Sequence, residues 1–128
     1  MIAIVDYGVG NLFSVEKAFL KFSPDVVLTS DAKVIEKADK IVLPGVGAFG
    51  DCMKNFEQSG LKNSVLEAIE QGKPVMGICV GEQIMFEGSE ESPEVKGLGI
   101  FKGMVKKINA PGQNVYHQNG LSGRKLPF

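Results

Sequence analysis

Short, wholly apolar runs alternate along the chain with longer segments whose apolar residues recur every three or four positions. Ile2-Ala3-Ile4-Val5, Val26-Val27-Leu28, Ile41-Val42-Leu43 and Val75 to Ile78 are too short for helices and rich in β-branched residues, so each is read as a buried strand. Val15, Ala18, Phe19 and Phe22 fall at helical spacing and mark one face of a helix, with Asn11 as its N-cap. A short helix is expected over Ala32 to Ala38 and another near Asp51 to Gln58, while Leu61, Val65, Ala68 and Ile69 mark a further helical face. "GSEESPEVKGLG" is a polar, turn-rich loop, Gly99 to Ile108 reads as one or two strands, and the tail "NAPGQNVYHQNGLSGRKLPF" has no period.

Apolar strands separated by helices predict a parallel sheet covered on both faces. Ligands of such folds gather beyond the carboxyl ends of the strands. Three glycine-rich junctions lie there, "DYGVGN", "PGVGAFGD" and "GICVGEQ", and together they define a site better than any one does alone.

Composition changes this picture little. The 128 residues are 44% hydrophobic and 23% charged, which suits one domain, residues 1–128, with its own core. A net charge of −1 gives no electrostatic basis for binding nucleic acid or an anionic membrane. No apolar run approaches the roughly 20 residues of a spanning helix. "MIAIVDYG" has no basic residues ahead of its apolar ones, so it is read as a strand rather than a signal peptide. Two cysteines, Cys52 and Cys79, and one histidine, His117, are too few for a disulfide scaffold or a zinc cluster. No metal and no cofactor is expected, and free thiols fit a cytoplasmic protein.

Gly77-Ile78-Cys79-Val80-Gly81 has the form of a nucleophile elbow. A strand that reverses sharply into a helix holds its tip residue in a strained conformation, and the flanking positions must be tiny to avoid the turn. The helix would point its N-terminus at the sulfur and favour thiolate, while the Val80 N–H helps hold an oxyanion. The plain alternative is a buried cysteine packed at a strand–helix turn. Pro44-Gly45-Val46-Gly47 offers backbone N–H groups to the same point, or is simply a tight turn. Gly8-Val9-Gly10 fails as a dinucleotide fingerprint because Phe13 stands where a third glycine belongs, so this loop is structural or part of a partner rim. Cys52 is read as core or half-buried, His117 as a surface residue, the Phe and Met residues at helical spacing as core, and Glu90, Glu91 and Glu94 as a solvated acidic loop.

These residues also carry a family resemblance. "GICVGEQ" resembles the elbow of class I, triad-type glutamine amidotransferases, whose fold is a flavodoxin-like three-layer α/β sandwich with a mostly parallel sheet. "IAIVDYGVGNLFSV", "IVLPGVGAFGDCM", "GICVGEQIMFEGSEE" and "KGLGIFKGMVKKI" are similar to one branch, the glutaminase subunit of imidazole glycerol phosphate synthase in histidine biosynthesis. The resemblance runs from Met1 to about Ile108. It implies that Cys79 attacks the glutamine side-chain amide, that Gly47 and Val80 supply oxyanion amides, and that Gly45, Gln83 and Glu91 bind substrate, Glu91 through the α-ammonium. It also implies a heterodimer with a (βα)₈-barrel synthase subunit that receives the ammonia. The family's His-x-Glu pair is absent from these 128 residues, and Glu82 replaces an apolar residue. A domain lacking its C-terminal strands is therefore expected. Two other readings stay open: a shortened, inactive paralogue that only binds the synthase subunit or glutamine, and a DJ-1-like cysteine protein.

Overall fold

The computed structural model describes residues 1–108 and, as backbone, the strand Tyr116–Gln118. Four strands, β1 (Ile2–Val5), β2 (Val26–Thr29), β3 (Lys40–Gly45) and β4 (Val75–Cys79), form a parallel sheet in the order β2-β1-β3-β4. The connections between them carry α1 (Leu12–Leu20), α2 (Ala32–Lys37), α3 (Phe49–Gln58) and α4 (Lys62–Glu70), and α5 (Val80–Gln83) follows β4. This is the α/β arrangement the alternating pattern predicts. After β2 the chain crosses to the other side of β1, so the strand order reverses between β1 and β3, and ligands bind at such a crevice.

Alternation along the strands divides the sheet's two faces. Ala3, Val5, Ile41, Leu43 and Val75 join Ile35 of α2, Phe49, Met53 and Phe56 of α3, and Val65 and Ala68 of α4 in one buried cluster. The other face is covered differently. There α1 buries no residue completely, and a cavity of about 640 Å³ opens between Ala18, Phe19, Phe22 and the strand residues Ile2, Lys40 and Met76. Phe22 lies past the end of the helix and is 89% exposed, and Phe13 is 72% exposed. The expectation that this helical face and its phenylalanines are core is corrected: periodicity shows which side is apolar, not what covers it. Asn11 occupies the N-cap position of α1 but makes no side-chain capping bond.

A second sheet lies outside what the apolar pattern predicts. β5 (Gly88–Ser89), β6 (Met104–Lys107) and β7 (Tyr116–Gln118) run in the order β5-β6-β7, parallel for the first pair and antiparallel for the second. Within 99–108 only Met104–Lys107 is a strand. Residues 97–101 instead fold back onto the chain after the elbow, with Leu98 N donating to Ile84 O at 2.7 Å and Ile100 N to Met85 O at 2.9 Å. His117 pairs as backbone with Lys106, and the rest of the tail lies outside the described residues.

Candidate active site

β4 ends at Cys79, whose backbone has φ 55° and ψ −125°. It is the one non-glycine residue with positive φ among the described residues, in a region that costs about 1–3 kcal/mol and persists only where its surroundings impose it. Here three glycines impose it. A Cβ on Gly77 would stand 2.5 Å from Glu82 Cα, so α5 can turn back across β4 only over glycine. A Cβ on Gly81 would collide with the Leu43 carbonyl and lie 2.7 Å from Pro44 C, so the helix can lie against β3 only through glycine. On β3, a Cβ on Gly45 would meet Gly81 N at 2.5 Å and Cys52 Sγ at 2.8 Å. The cysteine is thus held at the tip of a turn, exposed, opposite Gly45 in the β3–β4 register.

The helix after the elbow is shorter than the sequence suggests. Val80–Gln83 is a single turn, and so few aligned peptides sum to little dipole. The elbow therefore offers first-turn N–H groups at Val80 rather than a long helix's field. Gln83 sits one turn on from Cys79 and is half-buried, and burial raises the Glu82 carboxyl above its ordinary range.

The 45–48 loop is fastened at both ends. On its near side Tyr7, from the loop after β1, donates its hydroxyl to Pro44 O. Tyr7 is 5% exposed, packs edge-on to Phe56 with ring centroids 5.1 Å apart, and lies 3.1 Å from Cys52 Sγ. A phenol has one proton, already given to Pro44, so the Cys52 thiol is the donor to Tyr7. Burial raises both the phenol and the Cys52 thiol above their usual ranges. Proline is tolerated in β3 here because pairing with β1 ends at Val42, so no ladder donor is lost on that side.

On the far side α3 begins at Phe49 with Ala48 as an N-cap that cannot cap. The missing acceptors come from the acidic segment. Glu91 Oε1 accepts from Phe49 N at 2.6 Å and Ser92 Oγ from Gly50 N at 3.1 Å. Ser89 Oγ in turn accepts from Glu91 N at 3.1 Å. The segment read as a solvated loop is thus partly a tertiary cap, with Ser89 and Ser92 buried. Between the clamps Val46 is 50% exposed, and Gly47, at φ +86°, has open space where a Cβ would stand.

Of the residues singled out in the sequence, Gly45, Cys79 and Val80 lie together at the carboxyl ends of β3 and β4, Gly47 is two residues beyond, and Glu91 is tied to the loop's far end. Tyr7 and Ser92 went unnoticed. A tyrosine two residues past the end of a buried strand is the one faint signal for Tyr7, and Ser92 has none. Cys52 is fully buried, as expected of a core residue. Mild iodoacetamide is therefore expected to alkylate Cys79 first, read by peptide mass spectrometry; earlier labelling of Cys52 contradicts the exposed elbow.

A parallel α/β sheet with a strained elbow cysteine defines a class of thiol-bearing domains, and comparison places the chain within it. It belongs to the class-I glutamine amidotransferases, whose family model matches residues 3–125. It is 51% identical over 107 residues to the imidazole glycerol phosphate synthase subunit HisH of Geobacter metallireducens, covering 84% of this chain and 51% of that one. The subunits of the same name from Methanothermobacter thermautotrophicus (50% over 117 residues, 91% of this chain and 58% of that one) and Aquifex aeolicus (52% over 103 residues, 80% and 50%) are similar. The chain spans about half the length of these curated relatives. A crystal structure of a glutamine amidotransferase shares the fold, with a TM-score of 0.71 at 20% identity, over 88% of this chain and 59% of that one.

Proposed function

We propose that this chain carries the glutaminase half-site of an imidazole glycerol phosphate synthase. Cys79 attacks the side-chain amide of glutamine, ammonia departs, and water releases glutamate from the resulting thioester. The N–H groups of Val80 and Gly47 hold the oxyanion, where one donor is commonly worth 10²–10³ in rate, or about 3–4 kcal/mol. Gly45, Gln83 and Glu91 bind the substrate, Glu91 by its charge. The ammonia passes to a (βα)₈-barrel synthase subunit in a heterodimer, and the setting is cytoplasmic. The 128 residues form one domain of this machinery and supply the thiol, the loop and the substrate contacts, but no His-x-Glu pair. The observation that carries the reading is the strained elbow at Cys79, opposite Gly45, in a chain about half identical to subunits of that name. L-Glutamine is expected to slow alkylation of Cys79, D-glutamine to leave it unchanged, and the chain to co-elute with the barrel subunit of Aquifex aeolicus. Equal alkylation with and without L-glutamine, and no co-elution, would overturn the reading.

A further inference from the structure

We propose that Tyr7 at one end, and Glu91 with Ser92 at the other, are positioning residues that clamp the ends of the 45–48 loop and so set where the Gly47 N–H is presented. The inference rests on the glutaminase reading and deepens it. The loop has little hold of its own, since Val46 is half exposed and Gly47 has open space beside it. Its path is therefore set where it is tied. Upstream, the Tyr7 hydroxyl takes the Pro44 carbonyl and so fixes the plane of the Pro44–Gly45 peptide. That hydroxyl comes from a different strand end, 37 residues away, and is itself held by Phe56 and the Cys52 thiol. Downstream, Glu91 and Ser92 take the first two N–H groups of α3, 42 residues away in sequence, and fix where the loop must arrive. Only the residues between remain to be oriented, and Gly47 is among them.

Glu91 has a second consequence. Its Oε1 is occupied by Phe49 N, yet a carboxylate has about four lone-pair sites. An α-ammonium can be received at the other oxygen while the cap stays in place. One side chain then holds both the substrate and the loop that must face the oxyanion, so glutamine occupancy and loop placement are linked through one carboxylate.

The test compares two reagents at Cys79, resolved from Cys52 by mass spectrometry. In a glutamine-like chloroketone, L-2-amino-5-chloro-4-oxopentanoate, the sulfur forms a bond to carbon, chloride leaves, and a carbonyl oxygen faces the loop. In methyl methanethiosulfonate the thiolate attacks sulfur, a disulfide forms and methanesulfinate leaves, with no carbonyl to hold. In Tyr7→Phe and Ser92→Ala the chloroketone rate is expected to fall roughly 10- to 100-fold while the thiosulfonate rate stays within about threefold. Ser92→Thr, which keeps the hydroxyl, is expected to restore most of the chloroketone rate. If the wild-type chain prefers the chloroketone over chloroacetone and both variants keep that preference, the clamps are not positioning residues although the glutaminase reading stands. Without a wild-type preference, the glutaminase reading fails and takes this proposal with it. A parallel fall of both rates in every variant also overturns the proposal, because it marks loss of the fold rather than of the loop.

Discussion

Gly81→Ala is expected to lower the unfolding free energy by about 3 kcal/mol or more, or to prevent folding, and to abolish selective labelling of Cys79. The penalty is steric. Gly81 is not among the glycines with positive φ, so alanine meets no dihedral penalty there. What it meets is backbone: its Cβ would overlap the Leu43 carbonyl, and Pro44 C is 2.7 Å away. Backbone cannot rotate aside as a side chain can, so β3 and α5 must separate, and the elbow between them opens. Gly72→Ala is the matched control. It has φ +82° but nothing within 4 Å of the added carbon, so it incurs only the left-handed backbone cost of about 1–2 kcal/mol. Urea unfolding of both variants measures the difference. Gly81→Ala as stable as Gly72→Ala would mean that the elbow does not depend on this packing.

That contrast also shows which parts of the molecule its sequence reveals. The four strands were legible because each is an unbroken apolar run, and the elbow because two glycines at fixed distance from a cysteine answer a local steric demand. Both depend on residues within a few positions of one another. Tyr7 and the Glu91–Ser92 cap depend on contacts 37 and 42 residues apart, and no local pattern marks a hydroxyl as the partner of a distant carbonyl. β5 is Gly88–Ser89, residues with poor strand preference, paired only because β6 is brought beside them. The apolar stripe of α1 is visible in the sequence as a stripe but not as exposed, since burial belongs to the neighbour and not to the helix.

The elbow alone can present a thiol but cannot complete a turnover. A polypeptide of these 128 residues is expected to be alkylated at Cys79 by a glutamine-like electrophile, yet to release ammonia from glutamine far more slowly than an ordinary enzyme. Alkylation needs an accessible thiol and a bound reagent whose leaving group departs unaided. Turnover needs more: a group must take the thiol proton and return one to the departing ammonia, then activate water against the thioester. Such assistance is typically worth about 10²–10⁴, and more where the groups act as a unit. The sequence contains a single histidine, His117, followed by Gln118 and Asn119, so no His-x-Glu pair is present to do it. Backbone N–H groups such as those of Gly47 and Val80 can stabilise charge but do not move protons. A coupled glutamate assay with the synthase subunit and its nucleotide ligand measures the outcome. Turnover at roughly 1 s⁻¹ or faster, the lower end of ordinary enzymes, would mean that some other residue serves as base. His117→Ala would then be the first variant to make, and its loss of rate with labelling of Cys79 retained would identify the base.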